Sequence, residues 1–293
     1  MAARIIAGVR ELAGAYDGFI LDLWGVLYDG GQVFGHALEV LQRLKALGKR
    51  RVILSNGPRR STAVEERIAR AGIARDLYDD VMSSGEEAWL CLKGEIDDPW
   101  YRNIGRRVLY IGPDSDRAML DGLDLEEAGT AAEADFILDI GPFDPADGIS
   151  DYQDMLAAAA ARHLPMVCAN PDLVVHRLGK VEICAGGIAE RYEEMGGRVR
   201  WHGKPHRSIY ESGLRLMGAV EKSRVLAVGD SFRTDIRGAN GAGIDSLFVM
   251  EGIHAEELSG AGGKPDEKRL AKAVARAGAV PTYAMQRFEW RGT

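Results

Sequence analysis

Asp22 closes the apolar run Phe19-Ile20-Leu21 within FILDLWGVLYDG, residues 19–30. A carboxylate at the tip of a buried strand is costly unless a metal, hydrogen bonds or chemistry compensates. Three more features follow in order: Ser55-Asn56-Gly57 after RVIL, Lys204 in His202-Gly203-Lys204-Pro205, and Asp230 in Gly229-Asp230-Ser231 with Asp235 five residues on. Together they hold the parts for moving a phosphoryl group onto a carboxylate. That reaction needs an attacking oxygen in line with phosphorus and positive charge around the equatorial oxygens. Asp22 can attack and form an aspartyl phosphate. Ser55 and the N–H groups of Asn56 and Gly57 can hold the phosphoryl oxygens, and Lys204 can neutralise phosphate and nucleophile. Asp22 and Asp230 repel unless they share a cation, and Mg²⁺ is the hard ion that prefers oxygen ligands. Asp235 either holds a metal-bound water or joins the metal's ligands directly. Singly, each feature has a plain structural reading: Asp22 as a turn acid, Ser-Asn as a strand-to-turn signal, Lys204 as a solvated lysine. The ordered set gives the reading its weight.

Elements that can position these residues are legible in the apolar patterning. Ile5, Ile6, Val9 and Leu12 predict an opening helix; Phe19–Leu21 predicts a strand. His36–Leu47 predicts a helix stopped by Gly48, Arg51–Leu54 a buried strand, and Thr62–Ala71 a helix stopped by Gly72. The middle repeats the alternation, with strands at Arg107–Ile111, Phe136–Ile140 and Met166–Ala169, helices at Tyr152–Arg162 and Gly187–Met195, and a hairpin in Val174–Cys184. The last third predicts a helix at Ser208–Met217, a strand at Arg224–Val228, a helix at Thr234–Asn240 and a strand at Ser246–Met250, with a Gly-rich loop at residues 259–267. GANGAG, Gly238–Gly243, follows a helix and reads as a helix stop rather than a dinucleotide fingerprint. Strand–helix alternation of this kind implies α/β architecture with a parallel sheet, and such sheets bind ligands beyond the carboxyl ends of their strands.

The composition of the 293-residue chain, 46% hydrophobic and 28% charged, is that of a globular protein. A net charge of −7 without a basic block argues against nucleic acid as a partner. Cys91, Cys168 and Cys184 form no C-x-x-C pair, which argues against a disulfide framework or a zinc site. No apolar run approaches the roughly 18 residues of a membrane span, and no signal segment is legible, so a cytoplasmic location is expected.

The four features resemble, in order, the motifs of the haloacid-dehalogenase (HAD) superfamily, whose phosphatases open with D-x-D-G-[TV]. Gly25–Tyr28 (GVLY), Met166–Asp172 (MVCANPD) and the long segment between Ser55 and Lys204 are similar to the class IIA branch, with its NagD-like, p-nitrophenyl-phosphatase-like and pyridoxal-phosphate-phosphatase-like enzymes. The resemblance implies a Rossmann-like core at residues 1–93 plus 200–293 and an inserted α/β cap at residues 94–199. It implies an Mg²⁺-dependent phosphatase of a small phosphorylated metabolite, with Asp22 and Lys204 catalytic and Asp22, Asp230, Asp235 and the Trp24 backbone carbonyl on the metal. A homo-oligomer is expected, as in relatives of this branch. Asp172 and His176 lie where a cap loop can reach substrate; ordinary loop residues are an equal alternative. Trp24 departs from the pattern, standing where the family's phosphatases carry a second Asp, their general acid/base. That departure implies slow turnover or restriction to good leaving groups. It leaves open a degenerate protein that binds a phosphorylated ligand without turnover, and C–P cleavage through a Schiff-base lysine, for which Lys93 and Lys180 are the candidates.

Overall fold

The computed structural model describes residues 3–177, 180–260 and 266–292. The chain divides into two compact units, one of residues 1–55, 64–82 and 204–293, the other of residues 56–63 and 83–203.

The first unit is built on a seven-stranded sheet in the order Arg4–Ile5, Tyr283–Met285, Asp245–Val249, Val225–Gly229, Gly18–Leu21, Arg50–Ser55, Asp80–Ser83. Pairing is parallel from Arg4–Ile5 through to Arg50–Ser55. The two central strands, Gly18–Leu21 and Val225–Gly229, are buried at every residue, which is why they read as continuous apolar runs rather than alternating ones. Their register sets Leu21 beside Val228, and the Asp22 amide donates to the Val228 carbonyl at 2.9 Å. Asp22 and Asp230 therefore leave neighbouring strands within one residue of the same level. The helix Gly35–Ala46 covers the sheet with Ala37, Val40, Leu41 and Leu44, a stripe at helical spacing.

The expected opening helix does not form. Arg4–Ile5 is instead an edge strand beside Tyr283–Met285, followed by a short 3-10 turn at Val9–Glu11. Backbone pairing at the sheet edge and the extended conformation of Gly8 override the helical spacing of Ile5, Ile6, Val9 and Leu12. The expected Thr234–Asn240 helix is divided: Phe232–Ile236 takes a π-helical turn and Arg237–Ala242 is α-helical, ended by Gly243 at φ +65°. The helix Glu267–Ala277 was not anticipated; Asp266 caps it by accepting from the Lys268 and Arg269 amides. Part of the Gly-rich stretch, residues 261–265, lies outside the described residues.

The second unit carries a five-stranded parallel sheet in the order Arg198–Trp201, Pro165–Cys168, Phe136–Asp139, Arg107–Ile111, Glu126–Glu127. The expected hairpin is the antiparallel pair Val174–Arg177 and Lys180–Ile183. Cys91, Cys168 and Cys184 are buried and stand outside any disulfide among the described residues.

Candidate active site

Asp22, Lys204, Asp230 and Asp235 are all buried and all belong to the first unit. Asp22 follows the strand Gly18–Leu21, Asp230 follows Val225–Gly229, and Asp235 lies in the π-helical turn. The sheet order makes these strands neighbours, so residues more than two hundred positions apart converge. One ligand oxygen from each of the three acids lies within 4.8 Å of the others. The Lys204 ammonium bonds Asp22 Oδ1 and donates to Asp235 Oδ1 at 2.7 Å.

Each acid is aimed by further contacts. Asp230 Oδ2 accepts from the Ile253 amide at 2.7 Å. Asp235 Oδ2 accepts from the Ser231 amide at 3.1 Å and the Thr234 hydroxyl at 3.3 Å. The Tyr210 hydroxyl donates to the Asp235 backbone carbonyl at 2.9 Å. Two glycines leave room for Asp230: a Cβ on Gly25 would lie 1.9 Å from its Oδ2, and one on Gly252 would lie 2.1 Å away. Gly25 also has φ +77°, where a side chain is strained.

Three carboxylates against one ammonium leave an excess of negative charge in a buried space. Burial pushes Asp22 up to about 7, with Asp235 adding to the rise and Lys204 opposing it. Burial, then Asp22 and Asp235, hold Asp230 well above the usual carboxylate range. Burial disfavours the Lys204 charge, yet Asp22 and Asp235 outweigh it and hold the ammonium above its ordinary range. A divalent cation would remove the repulsion that raises the acids. The donor set, all carboxylate oxygen, fits a hard ion such as Mg²⁺.

The remaining sequence candidates fall as follows. Ser55 is buried and ends the strand Arg50–Ser55 in the first unit; Asn56 and Gly57 open the segment of the second. Within the second unit, Asn56 Nδ2 donates to Asp172 Oδ1 at 3.0 Å, and the Asp172 amide donates to Asn170 Oδ1 at 3.0 Å. His176 lies on the strand Val174–Arg177, and its side chain is outside the described residues, as is that of Lys180. Lys93 gives its ammonium to the Gly122 carbonyl at the surface. Trp24 is half-buried against the first unit's core.

Tyr210, Thr234, Gly252 and the Ile253 amide were not singled out from the sequence. Tyr210 falls on the buried stripe of the helix Arg207–Leu216, where an aromatic reads as packing. The one signal was GANGAG: a Cβ on Gly238 would lie 2.3 Å from the Tyr210 ring, so that glycine makes room for the tyrosine as well as preceding the helix stop.

Residues 19–126 match the family model described as haloacid dehalogenase-like hydrolase, and residues 201–280 match that described as HAD-hydrolase-like. Mouse Chronophin is 25% identical over 263 residues, 86% of each chain. The ribonucleotide monophosphatase NagD of Escherichia coli is 28% identical over 242 residues, 80% of this chain and 87% of that one. The crystal structure of a haloacid dehalogenase-like hydrolase from Brucella suis superposes with a TM-score of 0.80 at 32% identity, covering 97% of this chain and 100% of the other. Matching family models at both ends of the chain, and a full-length relative at that identity, place this protein among the haloacid dehalogenase-like hydrolases, in the class IIA branch.

Proposed function

We propose that the protein is an Mg²⁺-dependent phosphatase of a small phosphorylated metabolite, working through an aspartyl phosphate on Asp22. The observation that carries this is the convergence of three buried acids and one ammonium at the carboxyl ends of adjacent central strands. The relative named ribonucleotide monophosphatase NagD supports the reaction class.

Asp22 is the nucleophile: the Lys204 ammonium bonds its Oδ1 and so orients the carboxylate for attack on phosphorus. Lys204, held also by Asp235, keeps a fixed positive charge beside the incoming phosphoryl group. Ser55, at the tip of the adjacent strand, is assigned to a phosphoryl oxygen, with the amides of Asn56 and Gly57 following it. Asp22, Asp230, Asp235 and the Trp24 carbonyl would hold Mg²⁺, which supplies charge neutralisation at the phosphoryl oxygens when bound. The second unit, with residues 94–199 at its heart, is assigned as the cap, and Asp172 and His176 as its substrate-facing residues.

The direct test is release of inorganic phosphate from p-nitrophenyl phosphate with Mg²⁺, by wild type, by Asp22→Asn, and by wild type with a chelator. Release by wild type and its loss in the other two is the expected result. Equal rates in wild type and Asp22→Asn would remove the nucleophile, and binding of a phosphorylated ligand without turnover would leave a degenerate receptor.

A further inference from the structure

The loop leaving Asp22 is folded around an indole. The Gly25 amide donates to the Tyr28 carbonyl at 2.9 Å, Tyr28 to Leu23 at 3.1 Å, Asp29 to Gln32 at 3.1 Å and Phe34 to Leu27 at 3.0 Å, so residues 23–34 close upon themselves. The Trp24 ring stands edge-on to Tyr28, with centroids 5.1 Å apart at 72°. Gly30, at φ +99°, lies beside it; a Cβ there would be 2.4 Å from Trp24 Cζ3 and 2.6 Å from Cη2. Trp24 thus has a seat formed by its own loop, with Tyr28 and Gly30 as its walls.

Residues 23–34 contain one carboxyl, that of Asp29, and one phenol, that of the buried Tyr28 packed edge-on against Trp24. The next acid, Asp29, is exposed and accepts from the Gly31 and Gln32 amides at 2.8 and 2.7 Å. Those amides hold its carboxyl below the usual range, making it a poor acid at neutral pH. Around the cluster, Lys204, Tyr210 and Thr234 each donate to Asp22 or Asp235.

Taking Asp22 as the nucleophile of the preceding section, we propose that, with Trp24 seated in a loop whose one carboxyl is turned to solvent, the site selects phosphoryl donors whose leaving oxygen departs as a stable anion (aryl, enol or acyl phosphates) and has breakdown of the aspartyl phosphate as its slow step. In the first step an Asp22 oxygen bonds to phosphorus, the bond from phosphorus to the leaving oxygen breaks, and its electron pair stays on that oxygen. No proton is required when the leaving group is the anion of a fairly strong acid. In the second step water bonds to phosphorus, the bond from Asp22 to phosphorus breaks and restores the carboxylate, and water gives its proton to solvent. A positioned acid or base is typically worth about 10²–10⁴-fold in such transfers.

The experiment measures kcat/KM with Mg²⁺ for aryl phosphates of graded leaving-group acidity and for one alkyl phosphate. Wild type, Trp24→Asp and Trp24→Asn are compared, alongside intact mass spectra of acid-quenched steady-state enzyme. Wild type should fall steeply as the leaving group becomes more basic, placing the alkyl phosphate about 10²–10⁴-fold further below the aryl series than in Trp24→Asp. The wild-type spectrum should carry one added phosphoryl group. Trp24→Asn, which removes the indole without adding a carboxyl, should keep the steep dependence. A flat wild-type series, or turnover with no phosphorylated enzyme, overturns the inference and leaves the phosphatase reading standing. No turnover and no adduct with any ester overturns both. The wild-type series and its spectrum decide the matter even where a variant fails to fold.

Discussion

Asp230 is held between two glycines that share no element: Gly25 just beyond one strand and Gly252 beyond another. A methyl group at 252 would overlap its Oδ2, so Gly252→Ala must displace the carboxylate or the Ile253 amide that bonds it. Activity of Gly252→Ala is expected to fall at low Mg²⁺ and to recover partly as Mg²⁺ is raised. A titration of rate against Mg²⁺ checks this; an unchanged half-saturation point would show that Asp230 is not a ligand. Asp22 and Asp230 were legible in the sequence because each closes an apolar run, and Lys204 and Asp235 because they stand in order with them. Gly252 was not, because its reason for being glycine is an oxygen contributed by a residue 22 positions away. Asn56 illustrates a different limit. The sequence pattern marks it for phosphate, but nothing in that pattern foretells its hydrogen bond to Asp172.

The π-helical turn at Phe232–Ile236 is the element that brings Asp235 to Lys204. Ser231 caps it by accepting from the Thr234 amide, and both the Ser231 amide and the Thr234 hydroxyl hold Asp235 Oδ2. Tyr210 reaches this turn from the helix Arg207–Leu216 and satisfies the Asp235 carbonyl. Removing a hydroxyl from a buried pair leaves an acceptor unsatisfied, at about 1–3 kcal/mol. Tyr210→Phe is therefore expected to lower stability by about that amount and to reduce activity with little change in the leaving-group dependence. Chemical denaturation and the graded ester series measure the two effects. The sequence showed that something helical follows Asp230, but apolar spacing over so few residues cannot separate a π turn from an α turn. The opening segment failed in the same way: Ile5, Ile6, Val9 and Leu12 have helical spacing, and the edge of the sheet takes Arg4–Ile5 as a strand.

Over the whole molecule, each unit keeps its own sheet and its own core. In the second unit's core, Asp139 ends the strand Phe136–Asp139 fully buried. Its Oδ1 accepts from the Gly141 amide at 3.1 Å, and its Oδ2 has no hydrogen-bond partner among the described residues. Burial pushes this carboxyl well above its ordinary 3.8. The folded protein thus binds a proton that the unfolded chain releases above about 3.8, so this group's stability is full at lower pH and declines as pH rises through the folded value. Asp139→Asn, which keeps the acceptor for Gly141, is expected to raise the melting temperature at neutral pH and to flatten its decline between acid and neutral pH. Melting curves across that range decide it, and an unchanged slope would show that Asp139 is not the titrating group. The alternation of strands and helices, and hence the α/β class, was readable along the chain. Asp139 was not, since the sequence of the expected strand Phe136–Ile140 does not show that both faces of its sheet are covered. No described helix is long and apolar enough to cross a membrane.

The ladder that sets Leu21 beside Val228 has a consequence for how the gene can vary. Side chains on a strand alternate faces, so adding or deleting a single residue within Gly18–Leu21 swaps the two faces of everything paired beyond it. Asp22 would then point away from Asp230 while every chemically important residue was still encoded. Length changes in this short stretch should silence the enzyme as thoroughly as losing the aspartate itself, whereas the exposed turn at Asp121–Asp124 should absorb them.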